Sequence, residues 1–196
     1  MQRATIAIDC DDVLADHAED VVAWTNQRFG TNLTISDYTD HWSKLWQVDQ
    51  TKTEELAKEY HAEGRHGVFT HKPDSLEILR ELKKEYNLVI VTARRKEIVK
   101  TSLEWIEEKY PGIFNDVRFV PIWEPNNLVT KADICREIGA TFLIDDLPRH
   151  CNIAAESGIT SLVFGDYTWN RNETIVQGVH RVKDWQAVKD FFTNAA

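Results

Sequence analysis

Thr5-Ile6-Ala7-Ile8-Asp9-Cys10-Asp11-Asp12 is a short apolar run that ends abruptly in three acids. The run reads as a buried strand, and the acids sit where that strand leaves the sheet. In an extended exit, residues two apart point the same way, so Asp9 and Asp11 converge while Cys10 turns aside. Two carboxylates that close repel unless a cation or a proton lies between them. A magnesium ion on one and a raised pKa on the other gives a nucleophile beside a general acid. A solvated acidic turn is the plainer alternative for these residues taken alone.

Working outward, Leu88-Val89-Ile90-Val91-Thr92 is a second and clearer strand, rich in β-branched residues. Residues 117–120, 141–145 and 160–164 supply three more. Helical patterns lie between them. Leu76, Leu79 and Leu82 follow Pro73-Asp74-Ser75, and Ile98, Leu103, Trp105 and Ile106 precede Pro111-Gly112. Residues 131–138 close at Gly139, and residues 148–157 close at Gly158. Alternating strands and helices predict an α/β fold, a Rossmann-like parallel sheet with helices on both faces and its ligand site at the carboxyl ends of the strands. Asp9, Thr92 and Asp145 all fall at such ends.

The stretch from Asp16 to Lys72 breaks the alternation. It shows helical segments at residues 20–29 and 53–61 and a polar, aromatic composition that includes Tyr38, His41, Trp42, Trp46 and Tyr60. It is too long for an ordinary connection. The expected organisation is a catalytic core of residues 1–15 and 73–196, with a small helical cap, residues 16–72, inserted after the first strand.

Composition sets the outer limits. The 196 residues suit one compact domain with a modest insertion, and 42% hydrophobic with 28% charged residues is an ordinary globular mixture. A net charge of −9 argues against a grip on nucleic-acid polymer, though a small phosphorylated substrate needs only a few local cations. No apolar run reaches membrane-spanning length, and the start, Met1-Gln2-Arg3-Ala4-Thr5-Ile6, does not read as a signal peptide. Cys10, Cys135 and Cys151 have no CxxC spacing and read as reduced thiols of a cytoplasmic protein. Seven Trp is an excess that calls for a structural reason.

Further signals join the first. Asp145-Asp146 ends a strand with another acid pair, which is either a metal site or an ordinary turn into a helix at Pro148. The Thr92 hydroxyl can donate to a phosphate oxygen or serve only its strand end. Lys131 opens a helix, a slightly unfavourable place for a cation; it either neutralises Asp9 and clamps phosphate or lies free on the surface. A signalling receiver domain also uses acids, Thr and Lys on a parallel sheet, but it orders them differently and has no place for the helical insertion. A non-catalytic relative would be expected to lack one of the acids, and Cys10 has no phosphate-cradling loop ending in Arg.

The order strand-DxD, strand-Thr, Lys, strand-DD resembles the four motifs of haloacid dehalogenase (HAD) superfamily phosphatases. The stretches Asp9-Cys10-Asp11-Asp12-Val13-Leu14-Ala15-Asp16, Leu143-Ile144-Asp145-Asp146 with Pro148-Arg149, and Val182-Lys183-Asp184-Trp185 are similar to the 5′(3′)-deoxyribonucleotidase family. The resemblance implies that Asp9 attacks phosphorus to form an aspartyl-phosphate. Asp11 is then the acid/base, with its carbonyl on Mg2+, and Thr92 and Lys131 hold the phosphoryl group. Asp146, and Asp145 beside it, complete the metal acids. It also implies a cap after the first motif whose aromatics, at Trp42 and Phe69, stack on a base. There are three departures from the family pattern: His17 for an aromatic Phe, Arg94 in Thr92-Ala93-Arg94 for a Ser-Pro turn, and Asp12 for the Gly of many superfamily members. The first two fall on substrate contacts. The expected substrate is a nucleoside monophosphate, with a sugar phosphate or phosphoglycolate as the alternative, and a homodimer is open. Trp169 and Arg171 either border the pocket or form a surface loop with one anchoring ring.

Overall fold

The computed structural model describes residues 3–122 and 128–194, so the outermost bounds of the expected core, 1 and 196, lie outside the described residues. In chain order the described elements are β1 (Thr5–Ile8), α1 (His17–Phe29), α2 (Trp42–Trp46), α3 (Gln50–Ala62), α4 (Ser75–Leu82), β2 (Asn87–Thr92) and α5 (Val99–Lys109). These are followed by β3 (Asp116–Phe119), α6 (Lys131–Glu137), β4 (Ala140–Asp145), α7 (Pro148–Glu156), β5 (Thr160–Phe164), β6 (Val179–Val182) and α8 (Trp185–Asn194). The strands form one sheet in the order β3-β2-β1-β4-β5-β6, and every pairing is parallel.

The period-2 geometry of strands sorts the apolar residues onto two faces. Ile6, Ile8, Leu88, Ile90, Ile144 and Leu162 pack on one face against Ile78 and Leu79 of α4, Trp105 of α5, and Trp185, Val188 and Phe192 of α8. Ala7, Val89, Val91 and Leu143 turn to the other face, against Ala132 and Cys135 of α6 and Ala154 of α7. A sheet covered on both faces explains why its strands read as continuous apolar runs rather than alternating ones. The five strands and four core helices expected from periodicity are present with ends shifted by a residue or so. Strand β6 and helix α8 were not anticipated.

Helices α1 to α3 assemble a separate hydrophobic cluster that includes Val21, Trp24, Leu45, Trp46, Leu56 and Tyr60. Three of its rings anchor their polar atoms on other side chains. Trp24 Nε1 donates to Glu63 at 2.8 Å, Trp46 Nε1 to Thr25 at 2.9 Å, and the Tyr60 hydroxyl to Asp20 at 2.8 Å. Trp105 and Trp185 fill the sheet-side core, donating to the carbonyls of Phe69 and Val13. The tryptophan excess is therefore structural in large part. No helix among the described residues is long and apolar enough to cross a membrane.

Candidate active site

The central strands β2, β1 and β4 end side by side, with Ile8 in register with Ile90 and Ile144. Asp9 continues the ladder by one bond, its N–H donating to the Ile144 carbonyl at 2.9 Å. Asp9, Thr92 and Asp145 therefore leave neighbouring strands on one edge, as their positions in sequence predict.

Asp9, Asp145 and Asp146 are all buried, and each offers a carboxylate oxygen within 4.8 Å of the others. Lys131, at the first turn of α6, sits between two of them, with Nζ 2.7 Å from Asp9 and 2.6 Å from Asp145. The unfavourable helix start is thus compensated by two buried carboxylates. Thr130 caps that helix by accepting from the Asp133 N–H, which fixes where Lys131 projects. Asp145 is engaged further, by the Leu147 N–H at 2.9 Å and by His150 Nδ1 at 3.2 Å. Burial raises the Asp145 carboxyl, but Lys131 and then His150 outweigh it and hold that group below the usual carboxylate range.

Asp9 is pushed up to about 6, chiefly by burial, with Lys131 opposing and Asp145 adding to the rise. Asp146 is raised well above the usual range by burial and by the charges of Asp145, Asp12 and Asp9. It has no cationic partner among the described residues; its Oδ2 accepts only the indole N–H of Trp169, at 2.7 Å. The set is oxygen-only and short of positive charge, which is the donor chemistry of a hard divalent cation.

Asp11 goes the other way. Arg94 grips it through Nε, 3.1 and 3.2 Å from the two oxygens, and through Nη2 at 2.6 Å. Arg94 is itself buried and steadied by Ser102 at 2.9 Å and by the Phe69 ring, 5.7 Å beneath its guanidinium. Burial raises the Asp11 carboxyl, but Arg94 and His17 more than offset it and hold the group well below its ordinary range. The sequence reading expected a raised pKa on one of this pair without saying which. Burial puts it on Asp9, while Arg94 holds Asp11 low.

Asp12 adopts φ +58, the left-handed region that glycine enters freely and aspartate tolerates. Its Oδ1 accepts from the Ala18 N–H at 2.9 Å, steering the chain into α1. The Thr92 hydroxyl is fully buried with no hydrogen-bond partner among the described residues, an uncommon state that calls for an acceptor.

Above the strand ends lies a cavity of about 530 Å³ lined by Asp9, Asp11, Lys131, Asp146, Ala93 and Arg94 on the sheet side, and by His17, Trp42, His61 and His66 on the helical side. His17 and Trp42 stack with centroids 5.9 Å apart and planes 23° apart. Phe69 lies behind them, 5.7 Å from His17 and off the cavity wall. Sequence reasoning missed Tyr38, His61, His66 and His150. Isolated histidines and a tyrosine in a polar aromatic stretch carry no spacing signal that distinguishes wall from core. Trp169, left between pocket border and anchoring ring of a surface loop, is an anchor: its indole N–H donates to Asp146, and neither it nor Arg171 lines the cavity.

Comparison with known proteins follows the same lines. Residues 3–196 match the family model described as 5′ nucleotidase, deoxy (pyrimidine), cytosolic type C. A Staphylococcus aureus (strain Mu50) protein named as a 5′(3′)-deoxyribonucleotidase is 30% identical over 203 residues, covering 98% of this chain and 97% of its own. A Staphylococcus epidermidis protein of the same name is 27% identical, with 99% and 98% coverage. The fold is shared with a haloacid dehalogenase-like hydrolase from Streptococcus pneumoniae (TM-score 0.70, 16% identity, 97% and 98% coverage). It is also shared with the HAD hydrolase YfnB from Bacillus subtilis, solved with magnesium (TM-score 0.63, 13% identity, 98% and 100% coverage).

Proposed function

The chain belongs to the cytosolic type C family of 5′ deoxynucleotidases, a phosphatase family, and from that premise we propose that it hydrolyses deoxyribonucleoside monophosphates through an aspartyl-phosphate on Asp9, with Mg2+ required. The observation that carries this reading is the convergence of Asp9, Asp145 and Asp146 within 4.8 Å of one another, with Lys131 bridging Asp9 and Asp145 and with Asp9, Lys131 and Asp146 on the cavity wall.

Asp146 and Asp9 would hold the cation, with the Asp11 main-chain carbonyl, while Asp145 is already committed to Lys131 and His150. Bound there, magnesium supplies charge neutralisation to the carboxylates and polarises the phosphoryl group. The chain's own groups do the rest. Lys131 orients Asp9 and offers positive charge to the equatorial oxygens, and the unpartnered Thr92 hydroxyl is an available donor to one of them. An oxygen of Asp9 attacks phosphorus as the ester oxygen leaves with a proton from Asp11. Asp11 then takes a proton from water, whose oxygen attacks phosphorus and frees Asp9.

In the resting arrangement Arg94 keeps Asp11 ionised. An incoming phosphate offers Arg94 a second partner, and moving that charge off the carboxylate lets Asp11 take up the proton it must donate. On the helical side, residues 16–72 act as a cap whose His17–Trp42 stack receives the base, worth about 1–3 kcal/mol per base stacked. Three buried unpaired cysteines support a reducing, cytoplasmic setting. Phosphate release measured over deoxyribonucleotides, ribonucleotides, sugar phosphates and phosphoglycolate, with and without EDTA, tests the reading. Preference for a sugar phosphate would keep the chemistry and discard the nucleotidase; EDTA-insensitive turnover would discard the metal.

A further inference from the structure

Between β5 and β6 the chain does more than connect. Gly165, at φ +83, turns so sharply over the strand end that a side-chain carbon there would lie 2.1 Å from the ring of Tyr167. Asn170, fully buried, donates to the carbonyls of both Phe164 and Asp146 at 2.9 Å, pinning the loop to the ends of β5 and β4. Between these two anchors the rings of Tyr167 and Trp169 stack face to face, with centroids 4.3 Å apart and planes 6° apart. The Tyr167 hydroxyl donates to the Asp12 carbonyl at 2.8 Å, on the loop that carries Asp9 and Asp11. Trp169 then meets Tyr38 edge-on at 4.8 Å and joins the hydrophobic cluster of α1 to α3.

The indole N–H of Trp169 is the one donor given to the Asp146 side chain among the described residues. Rotation of that carboxylate is therefore set by a ring that is itself held on one face by Tyr167 and at its edge by Tyr38. We infer that Trp169 is a positioning residue for Asp146: its N–H aims the carboxylate at the cation site, and its contact with Tyr38 ties that aim to the seating of the helical segment. Partners that orient a ligating carboxylate are commonly worth ~10- to 100-fold in metal affinity when removed. The inference rests on the reading of Asp146 as a metal acid and adds to it a residue outside the recognised motifs.

Mn2+, which shares the oxygen-ligand preference of Mg2+, serves as the probe, with free ion followed by electron paramagnetic resonance. Trp169→Phe keeps the stack and the edge contact but removes the N–H; it should weaken Mn2+ binding ~10- to 100-fold. Saturating Mg2+ should then return kcat to within about threefold of wild type, a recovery that general damage to the fold would not show. Tyr38→Leu should weaken Mn2+ binding less, and the two effects should not add. Unchanged affinity in Trp169→Phe overturns the inference. Should that variant not fold, the wild-type protein decides: among its seven indole N–H resonances, that of Trp169 should move on Mg2+ titration, and an unmoved resonance overturns the inference. Wild type that binds no Mn2+ overturns the metal reading and this inference with it.

Discussion

Asp9 and Asp11 stand two residues apart and end in opposite electrostatic states, because burial lifts Asp9 more than Lys131 lowers it, while Arg94 more than offsets the burial of Asp11. Two predictions belong to this scale. Asp9→Asn removes the attacking carboxylate and should lower kcat by at least ~10³-fold with the far-ultraviolet spectrum unchanged; phosphate release and circular dichroism measure both. Arg94→Met strips the buried guanidinium and leaves Asp11 without its partner, which should cost about 3 kcal/mol in urea denaturation, the lower end of the range for breaking a buried pair because Asp11 keeps some water contact. That Asp9, Thr92 and Asp145 share an edge was legible in sequence, since strand ends in a parallel sheet lie side by side; Lys131, at a helix start, was left between this edge and the surface, and its ion pairs with Asp9 and Asp145 place it. The partner of Arg94 was not. A long side chain selects its carboxylate in three dimensions, and nothing in Thr92-Ala93-Arg94 indicates which.

At the scale of elements, the helical segment carries its own acid sensitivity. His66 is buried, and burial together with Arg94 lowers it to about 2. Its folded value lies below the ordinary 6.5, so the unfolded chain binds the extra proton and stability falls as pH drops from about 6.5 toward 2. Wild type should therefore lose about 1 kcal/mol more than His66→Gln between pH 6 and pH 5, read from urea midpoints at each pH. A second prediction concerns α8. Trp185 is buried and donates to the Val13 carbonyl at 2.9 Å, tying α8 to the loop that follows Asp12. Trp185→Ala should cost about 3–5 kcal/mol by the same denaturation. Strand β6 escaped the sequence reading because Val179-His180-Arg181-Val182 buries only its two ends, so neither an apolar run nor an alternation is present. Helix α8 did leave a signal, in the three- and four-residue spacing of Trp185, Val188 and Phe192.

Across the whole molecule the parallel sheet does one thing for function: it delivers residues distant in sequence to one edge. The order β3-β2-β1-β4-β5-β6 puts β1 between β2 and β4, so the Asp9 loop is flanked by Thr92 on one side and Asp145-Asp146 on the other. Side chains from the helices of residues 17–62 line the cavity opposite that edge. The shared strand edge follows from strand and helix periodicity. Which rings face the cavity and which fill the helical cluster does not, because the same aromatic stretch serves both. The central claim is that the Asp9 carboxylate becomes phosphorylated during turnover. Borohydride added during turnover of a deoxyribonucleoside monophosphate reduces an acyl phosphate to an alcohol, and peptide mass spectrometry locates the change. The account predicts homoserine at position 9, dependent on both substrate and Mg2+; an unmodified Asp9, or reduction at another acid, would contradict it.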